Sequence, residues 1–411
     1  MTATALQQEE HLPEAIVCKW CGKSFHYLKS HISMGRCENI PESAKGLDVD
    51  EVVKMYTSAF PDEPTISRTA LAKLNEKRAE KHSGEGEVAE ISAHPGYAGT
   101  VEYKTELVAA HELLGVTIKE LGTPRGKPLQ VTVNVNTPYP EFVPEAKKNY
   151  VYGDFDLIKD IFMMLEIGIP GYLWGHAGTG KSSLPTQLCA LLNRPLIRAQ
   201  HTASMEEAHV TGQILARDGS TYFEPGLLAL AMKNGWVYLA DEYDFAFPQI
   251  LGVYQPVLEG EPLIIKEATP DWRRITPHKR FAFIGTGNTN GSGDETGLYQ
   301  GTNIQNAANF SRFGIVSNVK YMSTKAEVNM LAEAGVIREY AEKMVKFANL
   351  VREGYEQHLI SQPIGPRELL LSAKIGMMRG DFSAGIEKSF INKLPSTSAQ
   401  AAREVVQKIF G

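Results

Sequence analysis

The stretch "LWGHAGTGKSSLP", residues 173–185, places three glycines, a lysine and two serines between a strand-like run and an apolar helical run. Gly175, Gly178, Gly180, Lys181 and Ser182 fit the spacing G-x-x-x-x-G-K-[ST], with His176, Ala177 and Thr179 filling the loop and Ser183 following it. Glycines let successive backbone N–H groups turn inward as an anion nest at a helix N-terminus. In such a nest Lys181 reaches the β- and γ-phosphates of ATP, and the Ser182 hydroxyl completes a Mg²⁺ shell. Pro185 falls two residues after Ser183, where the reading expects a kink in the second helical turn.

Working outward, short apolar runs alternate with helical patterns from about 150 to 320. The runs are "PGYLWG", "RPLIRAQ", "WVYLADE", "RFAFIGTGN" and "FGIVSNVKY". That alternation predicts an α/β fold with a parallel sheet. After about 323 the pattern is helical throughout, as in "EYAEKMVKFANLVREGYEQHL". A nucleotide site needs a second strand ending in carboxylates, and "WVYLADEYD" supplies Asp241 and Glu242. Asp241 suits Mg²⁺ through water, and Glu242 suits a general base acting on the attacking water. The run "RFAFIGTGN" ends in Asn288, a neutral amide able to orient water near the γ-phosphate.

The set "GHAGTGKSS", "LADEYD", "FIGTGNTNGSGDETGLYQGT", "NFSRFGI" and "GPREL" resembles AAA+ ATPases of the MoxR group, and within it the ATPase subunits of aerobic cobaltochelatase. The similarity runs over about 137–411, and "GDETGLYQGT" is its most specific part. It implies a P-loop NTPase core over 137–322 and a helical lid over 323–411. It also implies roles: Asn288 as sensor 1, Arg312 of "SRFG" as a finger reaching a neighbour's nucleotide, and Arg367 of "GPREL" as sensor 2. Two hairpins are implied as insertions, one at "ARDGSTYFEPG" and one near 260–280. A homo-oligomeric ring, usually of six, and a partner carrying a von Willebrand factor A domain follow from the same resemblance.

Residues 1–42 read as a separate module. In "CKWCGKSFHYLKSHISMGRC", Cys18 and Cys21 are two residues apart, with His31 and Cys37 following. Two thiolates on a tight knuckle with a His and a Cys from a following helix suit tetrahedral Zn²⁺. His26 competes as fourth ligand, though it would crowd Cys21 and His31. The pattern resembles the zinc finger of Ros/MucR-type bacterial regulators, with Cys37 in place of the usual second His. Between Cys18 and Cys37 stand Lys19, Lys23, Lys29 and Arg36 and no acid. Phosphate contact is open to it, but one small finger binds DNA weakly, and protein docking stands equally. Residues 43–136 read as mixed linker, with a charged helical stretch at 68–87, a small helix at "HELLGV" and a strand at "PLQVTVNV".

Bulk properties bound the alternatives. A net charge of −6 over 411 residues gives no general attraction to nucleic acid or anionic membrane. No apolar run approaches the ~20 residues that span a bilayer. The first residues show no basic region followed by an apolar stretch, so a cytoplasmic setting is expected. Three of the four cysteines crowd into one short segment, which points to metal and not to disulfides, and Cys189 reads as a core residue. The sequence thus supports an ATP-driven remodeller, with a cobalt or magnesium chelatase subunit as the alternative. A non-hydrolysing adaptor fits poorly with Lys181, Glu242 and Arg312 all in place.

Overall fold

A computed structural model describes residues 13–45, 48–61, 63–70, 101–217 and 220–411. The chain divides into two compact units, residues 1–92 and 93–411.

The first unit is built on a short antiparallel hairpin pairing Ile16 with Phe25 and Val17 with Ser24, followed by a helix Leu28–Ser33. Phe25, Leu28 and Ile32 form a small core that also takes in Val52 and Tyr56 of a second helix, Val49–Ala59. Trp20 packs edge-on against Tyr56 at 4.8 Å, and the Lys19 N–H donates to the Tyr56 hydroxyl at 3.0 Å. The unit's core therefore runs past residue 42, the end set by the Cys/His spacing, because two short strands and one short helix bury too little alone. The charged stretch lies outside the described residues from 71 onward.

In the second unit, five parallel strands form one sheet: β1 (Gly171–Trp174), β2 (Leu196–Gln200), β3 (Val237–Asp241), β4 (Ala282–Gly287) and β5 (Ile315–Asn318). Their order across the sheet is β5-β1-β4-β3-β2. Burial follows position: β3 and β4 are buried at every residue, while edge strands β2 and β5 alternate. Central strands of a covered parallel sheet are enclosed on both faces, hence their continuous apolar runs.

Helix α1 (Phe155–Ile167) precedes the sheet. Asp154 caps it by accepting from the N–H groups of Asp156 (3.1 Å) and Leu157 (3.0 Å). An antiparallel pair, Thr105–Ala109 with Gln130–Asn134, is tied to α1 where the Thr132 N–H donates to Glu166 at 3.0 Å. Val131 shares a core with Ile158 and Phe162, so residues 101–136, read as part of a mixed linker and small N-terminal region, pack within the second unit.

Helix α2 (Ser183–Leu191) follows the phosphate loop. Pro185 is its third residue, in the first turn and not the second, where first-turn N–H groups mostly lack partners anyway. The Leu184 and Thr186 N–H groups on either side still donate to Gly180 (2.9 Å) and Ser182 (3.3 Å). Cys189 is fully buried among apolar side chains, as a core residue should be.

Both hairpins implied as insertions are formed. One pairs Gly212–Arg217 with Ser220–Pro225, the other Leu263–Ile264 with Arg274–Ile275. The C-terminal helices are α3 (Thr324–Glu333), α4 (Arg338–Glu356), α5 (Pro366–Arg379), α6 (Phe382–Ser389) and α7 (Ser396–Phe410). They enclose their own core around Leu331, Phe347, Val351 and Leu369. Within that core Arg352 makes a two-pronged ion pair with the fully buried Glu327, at 2.8 and 2.7 Å.

Candidate active site

The C-terminal ends of β1, β3 and β4 converge on the loop between β1 and α2. Gly175, Gly178 and Gly180 take φ values of 147°, 80° and 103°, open to glycine and strained for other residues. At Gly175 the need is also steric, since a Cβ would sit 2.4 Å from the Val319 carbonyl oxygen.

Lys181 lies across this loop. Its ammonium donates to the carbonyls of Gly175 (2.7 Å) and His176 (2.9 Å) and to Asn288 Oδ1 (3.0 Å). Burial brings its pKa down to about 8, against the pull of Asp244, Asp241 and Glu242. Ser182 Oγ donates to Asp241 Oδ1 at 2.5 Å. Asp241 also accepts from the Thr286 hydroxyl at 2.5 Å and from Arg198 Nε at 2.6 Å. Burial alone would raise its pKa, but these donors from Ser182, Thr286 and Arg198 together hold it below the usual range. The Ser182 hydroxyl and the Asp241 carboxylate are hard oxygen donors of the kind Mg²⁺ takes.

Glu242, one residue past β3, is exposed and sits at φ 53°, ψ 41°, a conformation few side-chain-bearing residues adopt. Its carboxylate accepts from the Gln200 amide, and its N–H donates to Thr286 Oγ1 at 3.2 Å. Backbone strain of this sort collects at functional positions.

Four site residues read from the sequence are thus together: Lys181, Ser182, Asp241 and Asn288. Arg367 joins them from the first turn of α5, where a Cβ on Gly178 would come within 3.3 Å of its own Cβ. Arg312 stands apart from this group. It follows the short helix Ala307–Phe310 and donates to Glu259 at 2.7 Å and to the Ala308 carbonyl.

The sequence reading gave no role to Asp244, although it is the last acid of "LADEYD". Asp244 is fully buried, and its Oδ2 accepts from the N–H groups of Asn288 (2.8 Å) and Thr289 (2.9 Å) and the Thr289 hydroxyl (3.0 Å). Burial raises its pKa, and its Oδ1 has no hydrogen-bond partner among the described residues. Arg198, Gln200 and Thr286 were also missed, since each acts only through a neighbouring strand.

The AAA domain (dynein-related subfamily) matches residues 172–302. The aerobic cobaltochelatase subunit CobS of a Sinorhizobium species is 32% identical over 249 residues, covering 58% of this chain and 74% of the relative. The chain belongs to the AAA+ ATPases related to CobS. An uncharacterised Staphylococcus aureus protein (strain NCTC 8325 / PS 47) is 23% identical over 265 residues, covering 62% of this chain and 96% of that protein. The Thermotoga maritima RuvB Holliday junction branch migration motor is a structural neighbour at TM-score 0.38 and 13% identity, covering 65% of this chain and 72% of that one.

This CobS-related ATPase carries a second cluster in its first unit. Ligand atoms of Cys18, Cys21, His31 and Cys37 all lie within 4.8 Å of one another. Cys21 Sγ is 3.3 Å from His31 Nε2, and Cys18 Sγ is 3.8 Å from Cys37 Sγ. Three sulfurs and one imidazole at these separations fit one tetrahedral Zn²⁺. His26 is elsewhere, its Nδ1 facing the Glu14 carbonyl and the Ser67 hydroxyl. Lys19 is paired with Glu63 at 2.7 Å, and Lys23 is paired with Glu38. Acids outside the Cys18–Cys37 stretch thus offset part of its positive charge. No helix among the described residues is long and apolar enough to cross a membrane.

Proposed function

We propose that this ATPase is a ring-forming MoxR-type motor that couples ATP hydrolysis to remodelling of a partner protein carrying a von Willebrand factor A domain. In this reading residues 175–183 and Lys181 bind the phosphates, and Ser182 and Asp241 hold Mg²⁺, which neutralises charge on the phosphates when bound. Glu242 takes a proton from water as the water oxygen bonds to the γ-phosphorus and the bond to the β-phosphate oxygen breaks, releasing ADP and phosphate. Asn288 orients that water, and Arg367 contributes positive charge from the lid.

The observation that carries the ring is the place of Arg312, held by Glu259 and outside the group formed by Lys181, Asp241 and Asn288. A trans arginine makes each site depend on its neighbour. Arg312→Ala and Lys181→Ala proteins should each be inactive alone. Mixed in equal amounts they should regain activity, since about a quarter of randomly assembled interfaces combine an intact phosphate loop with an intact finger. Zero activity in mixtures shown by mass to contain both chains would refute the trans role.

The chelatase reading stands second, favoured by the 32% identity to CobS over most of that relative. Cobalt insertion into a tetrapyrrole by this ATPase with its captured partners would establish it, and remodelling without insertion would exclude it. For the zinc module we favour protein docking over nucleic acid, because Lys19 and Lys23 are paired with carboxylates and Val17 and Met34 are 54% and 62% exposed.

A pH effect arises from Lys181. In the free enzyme its ammonium loses a proton as pH rises through about 8, whereas bound ATP favours the charged form. Binding then requires proton uptake. KM for ATP should rise about fivefold between pH 8 and pH 9. A flat KM over that interval would show that Lys181 does not titrate there.

A further inference from the structure

Tyr299 lies in "GDETGLYQGT", between β4 and the helix leading to Arg312. Its hydroxyl meets two neighbouring atoms of the phosphate loop. The Ala177 N–H donates to it at 3.1 Å, and His176 Nδ1 is 2.9 Å away. A backbone N–H can only donate, so the Tyr299 oxygen accepts there and its own proton is free to donate to His176 Nδ1. Burial, and then the charge of Lys181, push the His176 pKa down, which favours the neutral ring, whose tautomer sets which of the two atoms donates in the Tyr299–His176 bond.

The other faces of His176 meet Tyr321, in the segment between β5 and α3, and Tyr355 of the C-terminal helices. Its ring stacks on Tyr321, with centroids 5.7 Å apart and planes 2° apart, and meets Tyr355 of α4 edge-on at 5.9 Å. Tyr321 is itself covered by the Arg352 guanidinium at 4.0 Å, and Arg352 is locked by Glu327. Tyr299 is held in turn from its own segment, its N–H donating to Asp294 Oδ2 at 2.7 Å. Further along, the Asn303 N–H donates to the Asp244 carbonyl at 2.7 Å. The segment carrying Tyr299 is therefore anchored to the backbone just after β3, at Asp244, Phe245 and Ala246.

We infer that Tyr299 is a positioning residue for ATP binding: its hydroxyl fixes the His176–Ala177 part of the phosphate loop and, through His176, joins that loop to Tyr321 and Tyr355. Nucleotide affinity then depends on the segment that leads to Arg312 and on the packing of the lid. The inference rests on ATP hydrolysis alone and is independent of any ring or partner.

The test is Tyr299→Phe in the full chain, which removes one oxygen and keeps the ring. KM for ATP should rise about 5- to 15-fold, the effect of one hydrogen bond to a loop that must be fixed for binding, with kcat within about threefold of the parent and Tm within about 2 °C. His176→Ala should raise KM comparably, and the double variant should fall short of the product of the two effects, because both act on one contact. A general packing defect would lower Tm and leave KM unchanged. A KM within twofold of the parent, or full multiplicativity in the double variant, would overturn the assignment.

Discussion

Glu242→Gln protein should bind ATP with the affinity of the parent and hydrolyse it about 100- to 10,000-fold more slowly, the contribution of a positioned general base. Gln keeps the length and planarity of the side chain and loses only its ability to take a proton. The backbone of Glu242 is held at φ 53° by its own N–H on Thr286, so its placement does not depend on the carboxylate charge. Lys181→Ala should behave differently, weakening nucleotide binding itself, because it removes the only ammonium seen inside the loop among the described residues. Phosphate release under saturating ATP measures the first effect and calorimetric titration with ATP the second. Turnover at the parent rate in Glu242→Gln would show that another group activates the water.

The contrast between those two variants reflects how much of the site a linear sequence can carry. Gly175 to Ser182 is a local motif whose glycines permit the turn and whose flanking strand-like and helical runs frame it, so the loop and the helix after it were legible. So were Asp241 and Asn288, because each closes an apolar strand, and parallel strands of one sheet end on the same side. Sheet order was not contained in those runs, and only the structure separates the continuously buried β3 and β4 from the alternating edge strands β2 and β5. What escaped are residues whose partners are distant in sequence. Asp244 acts through backbone N–H groups 44 and 45 residues away. Tyr299 reaches His176 across 123 residues, and Arg198 reaches Asp241 across 43. No periodicity encodes such contacts. Pro185 illustrates the converse: its cost depended on where the helix begins, and one turn of error reversed the expectation.

The zinc module invites the last prediction. Its candidate ligands come from the hairpin, the helix Leu28–Ser33 and the segment after it, and Phe25, Leu28 and Ile32 share one core cluster with Cys18 and Cys37. Without metal, three sulfurs and an imidazole, all but Cys21 buried, would remain with little but each other as partners, and the small core would have to hold the chain alone. A structural zinc contributes ~10 kcal/mol or more of folding free energy to modules of this kind, more than such a core supplies. Metal analysis should find about one zinc per chain. Cys18→Ser/Cys21→Ser protein should lose it, and residues 13–45 should exchange their amide protons at the rate of an unfolded chain. The ATPase unit has separate cores of its own, around the sheet and among the C-terminal helices. Its kcat and KM for ATP should stay within about twofold of the parent, since its cores share no residue with that of the module. Binding to the partner protein should be lost in the same variant. Retained zinc would refute the ligand set, and a fall in ATPase activity together with the zinc would show that the module supports the motor and does not merely recruit its target.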